Sequence, residues 1–218
     1  MDHPDGLLTR PRRGWADKRQ AITAAAVRVF GREGYTRASI DAIASEASVS
    51  TRTIYNHFGD KEHLFLAVIQ ESATQVADAQ IELIRRHLDT IIDLEQGLTE
   101  FGLVWATSTS EFADHFALVR QIHAEVGHIP TATLKSWQEL GPRRVHQELA
   151  RLMQHLADRG LLALDDADRA ASHLVLLTST EVVNRSYHGA IPLPDDEVTD
   201  IVTAGIRTFL HGYLPPTP

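Results

Sequence analysis

Apolar residues recur along this 218-residue chain at helical spacing, and the alternation of a half-buried strand is nearly absent. Ile22, Ala25, Ala26, Val29 and Phe30 fall at i, i+3, i+4, i+7 and i+8, one stripe on one helix face. Gly34 follows as a C-cap, with Tyr35 placed to pack back on that helix. After the N-cap residue Ser39, a second and shorter stripe is made by Ile40, Ile43, Ala44 and Ala47. Val49 sits in the next turn, and Ser50 caps a third helix with Ile54 and Phe58 on its inward side. Asp60 caps a fourth helix that runs to about His87, a rod on the order of 40 Å long.

Further helical patterns lie near 93–107, 108–126, 131–158, 166–186 and 195–213. Ser108 with Glu111 matches a capping box. Gly141-Pro142 should break or kink the long 131–158 pattern, because proline removes a donor and disfavours helix before it. Asp195, Asp196 and Glu197 suit the N-terminal dipole of the last helix. The expectation is an all-α protein of about nine helices.

The third helix is barely two turns long, yet "STRTIYNHF" is crowded with polar side chains. With Ile54 and Phe58 facing inward, Thr51, Arg52, Tyr55 and Asn56 must face outward. Arg reads guanine, Asn reads adenine, and hydroxyls read either, so this outward set suits a major groove. Two short helices joined by a tight turn then form a helix-turn-helix. Lys61 lies in the first turn of the next helix, beside exposed backbone N–H groups that suit a phosphate. A polar surface helix of a plain bundle is the competing reading. It gives no reason for so little burial being held rigid between two neighbours.

Charge supports the first reading in part. The net charge of −8 is unevenly spread: residues 1–62 sum to +2 and the remainder to −10. Arg10, Arg12, Arg13, Lys18 and Arg19 crowd into one short arm. A basic reading head on an acidic body has this form, and so has a solvated basic tail. Apolar content of 43% and charged content of 23% are those of a globular protein. The absence of cysteine excludes disulfide scaffolds, thiol catalysis and Cys-based metal sites. No apolar run approaches a membrane span, and the first residues lack a signal-peptide core, so a cytoplasmic location is expected.

Residues 17–65 resemble the DNA-binding domain of the TetR (tetracycline-repressor) family of bacterial regulators. The likeness is carried by Phe30, Gly34-Tyr35, Ile43-Ala44, Ala47, Val49-Ser50, Thr53-Ile54-Tyr55, Phe58, Lys61-Glu62 and Leu64-Phe65. It implies three DNA-binding helices and a helical C-terminal domain that dimerises and usually binds a small-molecule inducer. By position, Thr51, Arg52, Tyr55 and Asn56 would read bases. Ser39, Thr53, His57 and Lys61 would mainly meet phosphates, beside the capping Ser50. Family members usually have Gly where this chain has Ser48, a position that tends to left-handed backbone. Through "IHAEVGHIP" and "WQELGPRRVHQELARLM" the rest is similar to the AefR-like branch. The implied division is a flexible basic arm over 1–16, a helix-turn-helix domain over 17–60 and a ligand and dimerisation domain over 61–218.

The C-terminal body suggests its own assembly. Val198, Ile201, Val202, Ile206, Phe209, Leu210 and Tyr213 trace a stripe, with Gly205 allowing close approach. The segment Leu174–Val183 is apolar on nearly every side, so it needs cover on more than one face. A homodimer through the helices near 166–186 and 195–213 would supply that cover, as would a wholly internal core. Phe101, Trp105, Phe112, Phe116, His123, Trp137, Leu177, Thr178 and Glu181 are candidates for the wall of an inducer pocket. At helical spacing such residues are more often plain core, and His123 more often a core histidine. Glu111 and His115 stand four apart, as metal ligands often do, but no third ligand is in register, so no metal is expected. Nucleotide, zinc-protease and serine-hydrolase motifs are absent, which argues against an enzyme and against a bound cofactor. The reading is a DNA-binding regulator that a small-molecule inducer releases from a palindromic double-stranded operator. An activator, or a binder without inducer, is the alternative.

Overall fold

The computed structural model describes residues 12–215, and among these there is no strand. Helix α1 spans Arg12–Arg37, α2 Ile40–Glu46, α3 Thr51–Phe58 and α4 Lys61–Leu88. The body continues with α5 (Leu94–Thr107), a 3₁₀ turn (Ser108–Ser110), α6 (Ala113–Ala124), α7 (Thr131–Leu140) and α8 (Pro142–Asp158). It closes with α9 (Ala167–Thr178), α10 (Thr180–Arg185) and α11 (Asp195–Tyr213).

Two apolar cores organise the chain. In the first, Ile22, Phe30, Ile43, Ile54, Phe58 and Phe65 gather α1 to α4, and Leu118, Ile122 and Trp137 bring α6 and α7 onto them. Phe30 meets Phe65 edge-on at 4.9 Å, and Tyr35 closes on Phe65 at 4.7 Å. In the second, Ile84 and Leu88 at the far end of α4 pack with Phe101, Leu149, Met153, Leu174, Val202 and Phe209. The rod α4 belongs to both cores. The most extensive head-to-body contact, however, is α1 against α6.

Several boundaries differ from the sequence expectation, each for a local reason. Arg12–Ala16 are helical rather than part of a flexible arm; Arg10 and the rest of 1–11 lie outside the described residues, as do 216–218. Gly34, with φ 81°, interrupts α1 as expected, but one further turn reaches Arg37. Ser108 does not cap α6. Its hydroxyl donates back to the Trp105 carbonyl at 2.8 Å, prolonging α5 as a 3₁₀ turn, and α6 starts only after Phe112. The 166–186 pattern is broken at Ser179, where three successive hydroxyls bond backwards. Thr178 donates to the Leu174 carbonyl, and Ser179 and Thr180 both donate to that of Val175.

The stripe on α11 turns inward. Val198, Val202, Ile206, Phe209 and Leu210 are buried within the chain's own core. Gly205 serves the same intramolecular packing, since a Cβ there would stand 1.9 Å from the Leu177 carbonyl oxygen. Exposed apolar side chains instead include Leu176 and Leu177 on α9, with Tyr187 and Ile191 in the loop beyond α10.

Candidate DNA interface and ligand cavity

The helix-turn-helix is held by its caps. Ser39 Oγ accepts the Ala42 N–H at 3.1 Å, and Ser50 Oγ accepts that of Thr53 at 3.2 Å. Ser50 and Thr53 also share a hydroxyl hydrogen bond of 2.9 Å. These three hydroxyls are therefore engaged in the motif itself. Between α2 and α3, Ser48 adopts φ 54°, the left-handed backbone that glycine would take without strain.

Ile54 and Phe58 anchor α3, and Arg52, Tyr55 and Asn56 are exposed on its outer side with Thr51 half-buried beside them. None of these four side chains has a hydrogen-bond partner among the described residues. They are brought together as one surface free to meet another molecule.

His57 and Lys61 are placed differently. The His57 ring stacks on Trp15 with centroids 3.7 Å apart, and its Nε2 is buried without a partner among the described residues. Burial, then the charges of Arg19 and Lys18, holds its pKa below the ordinary value. Lys61 is turned back to donate to the Thr36 carbonyl at 3.1 Å, with its ammonium 5.0 Å from the Tyr35 ring centre. Burial lowers its pKa while Glu125 raises it. The first turns of α1 thus lean on the recognition helix: Trp15 covers His57, and the Arg19 guanidinium lies 4.8 Å over Phe58. Trp15 had no sequence signal, because its partner is more than forty residues away.

The body contains a cavity of about 560 Å³ between α4, α5, α6, α7, α8 and α9. Its aromatic walls are Trp105, Phe116 and Trp137, with the ring of His123. Gln80, His115, His146 and Ser172 add polar groups, and Ala73, Val76, Val145, Leu149 and Val175 complete much of the apolar surface. His115 Nδ1 is hydrogen-bonded to Ser72 Oγ at 2.8 Å, and burial pushes its pKa down to about 4, so it is neutral.

Other candidates fall elsewhere. Phe101 is buried in the second core, and Phe112 lines a separate, more polar cleft between α1, α4 and the start of α6. Thr178 turns its hydroxyl to Leu174, Leu177 is half-exposed on the outside of α9, and Glu181 is exposed and paired with Arg185. His123 is not a core histidine. It is exposed, with its ring edge-on to Trp137 at 6.1 Å and to His188 at 5.1 Å. Helical spacing marks which face a residue occupies, but not which neighbour reaches that face, hence these misplacements. Among the described residues no cluster of three potential metal ligands forms, and no helix is long and apolar enough to cross a membrane.

Known proteins share this arrangement. Residues 22–68 match the family model for bacterial regulatory proteins of the tetR family, and residues 96–215 that for the C-terminal domain of AefR-like transcriptional repressors. The HTH-type transcriptional repressor AcnR of Corynebacterium efficiens is 28% identical over 195 residues, 88% of this chain and 93% of its own. Several further curated regulators align over less than half of their own length. A tetR-family regulator of Mesorhizobium loti superposes with a TM-score of 0.82 at 30% identity, covering 94% of this chain and all of its own. The flavonoid-responsive regulator FrrA does so at 0.68 and 26%, over 93% of this chain and all of its own. With both family models matched in order and the AefR-like one alone spanning more than half of the residues, the chain belongs to the TetR family of DNA-binding transcriptional regulators, which are not enzymes.

Proposed function

We propose that the protein acts in the bacterial cytoplasm as a homodimeric repressor, released from a palindromic operator by a small molecule that enters the cavity. Thr51, Arg52, Tyr55 and Asn56 read bases, while Ser39, Ser50, Thr53, His57 and Lys61 serve the backbone contacts. His57 and Lys61 must first leave Trp15 and Thr36. A two-fold dimer presents two recognition helices to two half-sites, hence the inverted repeat. The single observation that carries the release step is the double use of α6. This helix lines the cavity with His115, Phe116, Val119 and His123, and its Leu118 and Ile122 pack into the core of the reading head. A guest that displaces α6 changes the seat of α1, and so the spacing of the two heads. FrrA, similar over nearly the whole chain, carries its response to a small molecule in its name.

The test is selection of bound DNA followed by titration of Trp105→Ala and Phe116→Ala with and without a releasing compound. Operator affinity within about twofold of the parent, with an altered response to the compound, is expected. Selected DNA without an inverted repeat overturns the dimer reading. Outright loss of operator binding in both variants overturns the pocket assignment.

A further inference from the structure

The cavity walls offer aromatic surface and imidazoles rather than fixed charges, and that selects the ligand class. Among the described residues its lining includes no Lys, Arg, Asp or Glu. The arginines on the helices that build it are all engaged elsewhere. Arg85 donates to Glu148 at 2.8 Å, Arg144 to Asp78 at 2.7 Å and Arg120 to the His188 carbonyl at 2.9 Å. An ionised guest would leave water for a lining without lysine, arginine or carboxylate to pair with, and uncompensated burial of charge is among the most unfavourable steps in binding.

What remains is stacking surface and a few hydrogen-bonding atoms. Trp105, Phe116 and Trp137 offer ring faces and edges, the geometry in which flat aromatic guests gain beyond mere burial. His115 has its Nδ1 taken by Ser72, which leaves Nε2 as the nitrogen it can offer. Ser172 donates its hydroxyl to the Asp168 carbonyl at 3.0 Å, so the Gln80 amide, with the rings of His123 and His146, supplies the remaining polar atoms.

We propose that the cavity takes an uncharged aromatic molecule bearing a hydroxyl or amide-like group, and rejects carboxylates, phosphates and ammonium ions of the same shape. This rests on reading the cavity as the inducer site and narrows that reading to one chemistry. Gln80 and His115 orient the guest's polar group, and the ring walls hold its plane.

Three probes of nearly one shape test it on the full-length protein by titration calorimetry: naphthalene-2-carboxamide, naphthalene-2-carboxylate and 2-naphthylmethylammonium. The amide is expected to bind at least about tenfold more tightly than either ion. Gln80→Arg, which places a cation in the wall, is expected to improve the carboxylate about tenfold and so narrow its gap to the amide. Equal or tighter binding of either ion by the parent protein overturns the proposal, and so does failure of the amide to bind. The parent comparison stands by itself if Gln80→Arg does not fold. Binding of the amide without any loss of operator affinity leaves the selectivity standing and overturns the inducer reading instead.

Discussion

The carboxylate of Glu125, just past the end of α6, accepts the backbone N–H of Thr36 at 2.9 Å across 89 positions of sequence. Glu125 thereby caps the last turn of α1, while Lys61 donates to the carbonyl of the same Thr36. A helix that lines the cavity is thus tied directly to the reading head. Glu125→Ala should cost about 1–2 kcal/mol of unfolding free energy, because it leaves a donor unsatisfied at a helix end. The larger effect expected is on coupling: operator affinity nearly unchanged, and a weaker response to the releasing compound. Paired operator titrations with and without that compound check it, and an undiminished response would leave the coupling to α4 and to the packing of Leu118 and Ile122.

Arg52 and Lys61 should separate base reading from backbone attraction. Arg52 is exposed on α3 without a partner among the described residues, so Arg52→Ala should cost about 1–3 kcal/mol on the operator and relax preference at one base pair per half-site. Lys61 must exchange Thr36 for a phosphate. If it does, Lys61→Ala weakens binding to all sequences alike and lowers the salt slope by about one unit. An unchanged salt slope would leave Lys61 as a structural tie within the head.

Ser48 holds a left-handed φ of 54° in the turn between α2 and α3. Ser48→Gly should relieve this strain and raise stability by about 0.5–1 kcal/mol, read as a higher midpoint in urea. Operator affinity should be retained, since the turn geometry is the same.

How much of this was legible beforehand depended on the distance over which each feature is set. The caps Ser39, Ser50 and Asp60 and the anchors Ile54 and Phe58 are decided within four residues, and local pattern found them, whereas the left-handed Ser48 was expected from the family resemblance. The hydroxyl run Thr178-Ser179-Thr180 is equally local but broke a helix that hydrophobicity alone would continue. Glu125 with Thr36, Trp15 with His57 and Ser72 with His115 join distant segments, and nothing in one segment names the other. Cavity walls suffer the same limit. Phe101 and Trp105 pack 5.4 Å apart on one helix, yet only Trp105 reaches the cavity.

Stability should fall with acid in two separable windows. Glu148 accepts from Arg85 at 2.8 Å and from Arg151 at 2.9 Å, and these bonds hold its pKa at about 2, against an ordinary 4.5. Its folded pKa is depressed, so its contribution is full above about pH 4.5 and is lost as pH falls towards about 2. His115 is held neutral by burial, with its pKa down at about 4 from 6.5. Between those values the unfolded chain takes up a proton that the folded chain refuses, so stability declines from pH 6.5 to about 4 and then levels. Urea unfolding across pH should show both declines. His115→Asn should shrink the upper one, leaving what His57 and His188 contribute. Glu148→Gln should shrink the lower one and cost about 1–2 kcal/mol at neutral pH.

Leu177 faces two ways, and that separates folding from assembly. Its carbonyl lies where a Cβ on Gly205 would stand 1.9 Å away, while its side chain is 36% exposed on the outside of α9. Leu176 beside it is 58% exposed, and Tyr187 and Ile191 beyond α10 are more exposed still. Apolar side chains of this size left outside a finished core suit cover by a second copy. Because α11 turns its own stripe inward, α9 and the loop after α10 should carry the apolar part of that contact. Leu177→Glu should therefore leave the unfolding midpoint within a few degrees of the parent and convert the dimer to monomer. Operator affinity should drop about a hundredfold or more, because each head would then bind its half-site alone. Gly205→Ala should do the reverse in order of cause: its Cβ pushes α11 off α9, costs about 1–3 kcal/mol of stability, and weakens the dimer only as a consequence. Light scattering with thermal unfolding of both variants distinguishes the two effects. A Leu177→Glu protein that remains dimeric would place the partner on a different face.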